Sequence, residues 1–205
     1  MAFQIHKNDK ISTQWWILIL GLTIMSAKFY AYYLTDSITI LSDALESIVN
    51  IIAGGLGLYS LYLSSKPRDF DHPYGHGKVE FITSAIEGTM IIVAGGMIIY
   101  KSVNSYFNPH PIQDLGLGII LIAISGIINY VLGAVAVNKG KKKHSLALES
   151  SGVHLKTDAY TTLGILLGLL LIYFTKIQIL DSIIAFFIAL FIIYHGYAIV
   201  KKSIG

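Results

Sequence analysis

The stretch ITILSDALESIVNIIAGGLGLYSLYL, Ile38 to Leu63, decides the fold. It is longer than the roughly 20 apolar residues that a helix needs to cross a bilayer core. Yet Asp43, Glu46, Ser47 and Asn50 interrupt its first half. Spaced at i, i+3, i+4 and i+7, these four share one helical face. Ionisable groups are costly at membrane depth, so this face belongs inside a helix bundle rather than against lipid.

Five further runs of the same kind flank it: Trp15–Leu34, Val79–Tyr100, Leu115–Val137, Leu146–Phe174 and Leu180–Val200. The expected fold is an all-α membrane protein, a six-helix transmembrane bundle occupying residues 1–205. Composition agrees. Hydrophobic residues make up 54% of the 205 and charged residues 13%, about half the share usual in soluble domains. Mean hydropathy is +0.65. A soluble domain of this size has too little interior to hide so much apolar surface, so the lipid bilayer must cover part of it. Met1 to Gln14 is polar and lacks the layout of a cleaved signal peptide.

Charge sets an expected orientation. Lys7 and Lys10, then Lys66, Arg68 and Lys78, then Lys139 with Lys141–Lys143, and finally Lys201 and Lys202 all fall at one end of the bundle. The opposite connections hold only Lys101 and Lys176 as strong bases. The positive-inside rule places both N- and C-termini in the cytoplasm; in a prokaryote the bilayer would be the cytoplasmic membrane. The net charge of +3 gives no ground for a nucleic-acid partner.

There are no cysteines, so a metal site would need His, Asp, Glu, Asn or backbone oxygen. The fifth run supplies His154 and Asp158, four apart on one helical face. Counting about 1.5 Å of rise per residue from the helix ends puts these two, and Glu46 with Asn50, near the bilayer midplane. In antiparallel helices Glu46 is expected level with Asp158, and Asn50 level with His154. One nitrogen and three oxygens suit a first-row divalent ion, and two carboxylates would neutralise its charge. When the ion leaves, His154 and a carboxylate are expected to take up protons, so metal and proton would compete for one site. The structural alternative is that single polar groups merely brace neighbours by hydrogen bonds. Asp43, a turn nearer the outer face, fits that role best, pairing or capping, and Lys28 is expected either to snorkel or to pair with an acidic neighbour. In the loop after Leu63, Asp69, His72 and His76 could converge on a metal or simply be solvated.

The segment His72-Pro73-Tyr74-Gly75-His76-Gly77-Lys78-Val79-Glu80, with Ser42–Ser47 and His154-x-x-x-Asp158, resembles the cation diffusion facilitator family of metal/proton antiporters. The likeness runs over nearly the whole chain. It implies a transport site of Glu46, Asn50, His154 and Asp158, with Asp43 as an accessory position, and a secondary loop site of Asp69, His72 and His76. It also implies alternating access, a homodimer, and export of Zn²⁺ or, in some branches, Mn²⁺, Fe²⁺, Co²⁺ or Cd²⁺ in exchange for protons, with no cofactor beyond the transported ion. The sequence departs from the family in two respects. Glu46 and Asn50 stand where members commonly carry Asp or His with Asp, which removes one charge and one protonatable ligand. The cytoplasmic C-terminal domain usual in the family does not follow the sixth run, which is expected either of a truncated chain, the reading that the abrupt end at Gly205 favours, or of a short member of the family.

Two other functions compete for these residues. A passive cation channel would repeat its pore-lining groups by symmetry around an axis. A membrane metal-dependent hydrolase would need an open coordination position and a general base, and the sequence has no HExxH motif.

Overall fold

The structure, a computed structural model, describes residues 2–64, 78–109, 111–142 and 146–204. The loop residues Asp69, His72 and His76 lie outside the described residues. Six helices follow one another: α1 (Ala2–Thr35), α2 (Ile38–Ser64), α3 (Lys78–Phe107), α4 (Leu115–Lys142), α5 (Leu146–Thr175) and α6 (Ile179–Ile204). Each is long and apolar enough to cross a membrane. The expected six-span all-α bundle is therefore observed.

Several helices outrun the apolar stretches that announce them. α3 continues two turns past Tyr100, where the Lys101 ammonium donates to the Tyr32 hydroxyl at 3.0 Å. α4 continues through its lysines to Lys142, because Gly140 lies flat against the backbone of Glu149 on α5.

Polarity is distributed inside out. Lys28, Thr35, Ser37, Thr39, Ser42, Asp43, Ser47, Asp158, Thr162 and Asp181 are buried, while large apolar side chains such as Leu167, Phe174, Phe187 and Phe191 are exposed on the outer surface. In water that surface would be a liability; in lipid it is the solvated face. Trp15 and Trp16 are exposed at one end of the apolar part of α1, Trp15–Thr35, and Tyr33 near the other, as expected of interfacial aromatics.

The helices form two groups that meet at α2. α3 packs chiefly on α6, and α4 on α5. One apolar cluster joins Ala31, Ile40, Ile122, Ile165, Leu169 and Ile172 across α1, α2, α4 and α5. A second joins Ile38, Ile98, Ala185, Ala189 and Ile192 across α2, α3 and α6. Ile38 and Ile40 thus stand on opposite sides of the same turn of α2, which makes α2 the shared wall.

The two tight pairs rest on glycine. A Cβ on Gly152 would come within 2.5 Å of the Val137 nitrogen, and one on Gly88 within 2.8 Å of the Gly196 oxygen. Such backbone approach is what small residues permit in membranes. The spacing Gly164/Gly168, a GxxxG signal in the sequence, is not such a seam. Nothing lies within 4 Å of a Cβ on Gly164, and Gly168 meets only Ile184.

The outer turns α1–α2 and α5–α6 share one design. The amides of Asp36 and Lys176 each bond back four residues, to Tyr32 and Ile172, at 2.8 Å. Both residues have positive φ, 54° and 60°, the left-handed conformation that ends a helix. The hydroxyls of Thr35 and Thr175 then accept the next amides, from Ser37 and Ile177.

Candidate metal site

α2 starts from a cap supplied by another helix. The Ser37 hydroxyl donates to Asp181 Oδ1 at 2.6 Å, and the amides of Ile38 and Thr39 donate to the same carboxylate at 2.6 and 3.2 Å. The Ile40 amide donates to Ser37 Oγ. These bonds satisfy amides that an isolated helix leaves without partners. Asp181 sits in the first turn of α6, where its charge would serve that helix's own dipole; instead its carboxylate caps α2. This cap fixes the N-terminal end of α2 against α6 and so sets the level of every residue after it.

One turn down, Asp43 Oδ1 accepts from Lys28 Nζ on α1 at 2.8 Å and from Thr162 Oγ1 on α5 at 3.0 Å. The pairing of Lys28 with an acidic neighbour is thereby found. Two turns further, Asn50 Nδ2 donates to Asp158 Oδ2 at 2.7 Å. Asn50 Oδ1 lies 3.0 Å from His154 Nε2. An amide oxygen can only accept, so His154 Nε2 carries the hydrogen of that bond. Asn50 is therefore level with both His154 and Asp158, about half a turn off the expected register.

Asp158 is buried, Asn50 and Glu46 are partly buried, and His154 is exposed. Glu46, one turn before Asn50 on the same face of α2, has no part in these hydrogen bonds. Among the described residues, no three His, Asp or Glu side chains stand as a ready-made metal cage. Three of the four expected ligands are thus joined by hydrogen bonds, through an amide, while Glu46 stands beside them. The bonds of Asn50 occupy ligand atoms on both α5 residues. A cation ligated through these same two atoms would take the place of the Asn50 N–H at Asp158 and of the hydrogen on His154 Nε2.

The sequence reading missed the role of Asp181. Its signal was available: Thr-Asp-Ser-Ile-Thr, residues 35–39, is rich in capping residues, but nothing in it names the distant acid.

The architecture defines a multi-pass integral membrane protein with an ionisable cluster held inside its bundle. Residues 15–205 match the cation efflux transmembrane domain, and the chain belongs to that family of transporters. It is 34% identical to an uncharacterized transporter of Synechocystis sp. over 92% of this chain and 62% of the relative. It is 25% identical to the cadmium, cobalt and zinc/H(+)-K(+) antiporter of Bacillus subtilis, over 96% of this chain and 62% of that protein. It is 28% identical to the manganese efflux system protein MneP of Bacillus subtilis, over 75% of this chain and 52% of that protein. The chain therefore spans less than two thirds of the length of these relatives.

Proposed function

We propose that this chain exports a divalent transition-metal ion, Zn²⁺ foremost, in exchange for protons by alternating access. The observation that carries the reading is the Asn50 bridge, which ties α2 to both His154 and Asp158 of α5 inside one protomer. In this reading the ion displaces the bridge. Glu46 swings in, and the site becomes one imidazole nitrogen, two carboxylates and an amide oxygen. The hydrogen on His154 Nε2 must leave that nitrogen before it can ligate; a proton is released where the ring or a site carboxyl starts protonated, and that release gives the exchange its chemical basis. Asp69, His72 and His76 form a second, loop site in the same proposal, and the working unit is a homodimer with both termini cytoplasmic. The named substrates of the Bacillus relatives make Mn²⁺, Co²⁺ and Cd²⁺ the further candidates, and the Asn50 oxygen favours the harder Mn²⁺ among them.

The test is metal uptake into proteoliposomes that hold a metal-sensitive dye, with Zn²⁺ and then Mn²⁺ outside, with and without a pH gradient. Uptake that rises with an acidic interior is expected. Flux indifferent to the gradient would replace the antiporter by a passive channel.

A further inference from the structure

Among the described residues the Lys28–Asp43 pair is the most deeply buried charge: Lys28 is 2% exposed and Asp43 1%. A buried ion pair is weak evidence for stability, since desolvation offsets much of the attraction. Its position is more informative. Asp43 lies three residues before Glu46 on the same face of α2. Its partner Thr162 lies four residues after Asp158 on α5. The pair is thus one turn above the cluster on both helices at once. Asp43 Oδ1 is shared by Lys28 and Thr162, but among the described residues no donor reaches its buried Oδ2. A carboxylate with an unused oxygen stands one turn from a cation site, and Lys28 alone balances it.

We propose that Lys28 sets the affinity of this site: its ammonium engages Asp43, withholds that carboxylate from the cation, and leaves the site two negative charges. The proposal rests on the transport-site reading above. Glu46, Asp158 and Asp43 with Lys28 leave the charge that a divalent ion neutralises. Without Lys28 a third carboxylate would face the ion. Binding would tighten, and release, which transport requires, would slow. Without Asp43, an uncompensated ammonium would repel the ion. The charge of Lys28 is close enough to act on both Glu46 and Asp158.

The two halves of the pair therefore affect binding in opposite directions, whereas a purely structural pair would not. The test measures the affinity of the purified full chain in detergent for Mn²⁺ and for Zn²⁺, together with its thermal stability. Lys28→Met should bind about tenfold or more tightly and transport more slowly in liposomes. Asp43→Asn should bind weaker by a similar factor, and the double variant should return to within a few-fold of wild type. Lys28→Gln keeps a donor for Asp43 without the charge, and it replaces Lys28→Met should that variant not fold. Both single variants should melt lower, so stability does not mimic the affinity pattern. Single variants that both weaken binding, or a Lys28 variant with unchanged affinity, would overturn the proposal. Asp158→Ala separates the two levels. If it binds metal as wild type does, the transport-site reading fails and this proposal with it. If it loses binding while both pair variants weaken alike, only the role of Lys28 fails.

Discussion

Asn50 is the residue on which the cluster turns, since it donates to Asp158 and accepts from His154. Asn50→Asp would remove the donor and set a second carboxylate against Asp158. Expected outcomes are a lower melting temperature without metal and a larger rise when Zn²⁺ is added, both read by thermal denaturation in detergent. Asp181 makes a different kind of prediction. Its carboxylate serves two amides and a hydroxyl at the head of α2, so Asp181→Ala should cost about 2–3 kcal/mol. Asp181→Asn, which keeps an acceptor oxygen, should recover part of that loss in the same melt. Residue types and spacing made Glu46, Asn50, His154 and Asp158 legible as one group. The Asn50 bridge was not legible, because half a turn of register between two helices depends on packing. Nor was the Asp181 cap, which joins residues far apart in the chain.

At the scale of the helix, number and position of the six spans followed from hydropathy, while their ends did not. Lys101 and Gly140 extend helices through contacts with other helices, which no local pattern reports. Glycine was similarly ambiguous. The Gly164/Gly168 spacing has the familiar form yet meets open space and a single isoleucine, whereas Gly88, Gly133 and Gly152 touch a neighbouring backbone. Gly152→Ala should therefore destabilise the α4–α5 pair by about 1–3 kcal/mol. Gly164→Ala should be neutral or slightly stabilising, since alanine is the better helix former. Melting both variants in one detergent checks the contrast, and equal losses would show that the seam has been misplaced.

At the scale of the molecule, α2 belongs to both packing groups and carries the polar face between them. Its outer half is enclosed and capped, while the side chains from Leu45 to Leu56 are for the most part less buried, and His154 beside them is exposed. By the proposed orientation, read from the lysine distribution, the end where the chain termini lie is cytoplasmic. With no native cysteine, this is readily checked by single-cysteine labelling in sealed inverted vesicles. Lys141→Cys should react with an impermeant maleimide, and Gln178→Cys only after permeabilisation. The reverse pattern would invert the protein.

The most direct measurement compares initial Zn²⁺ uptake by wild type and Asp158→Ala at equal protein in the same liposomes. Asp158 is held by Asn50 and lies within reach of the Glu46 charge, so its removal should reduce pH-gradient-driven uptake to the level of protein-free liposomes, with the variant still folded. Uptake that persists in Asp158→Ala at the wild-type rate would mean that the ion crosses elsewhere, and that the α2–α5 cluster serves only to hold the bundle together.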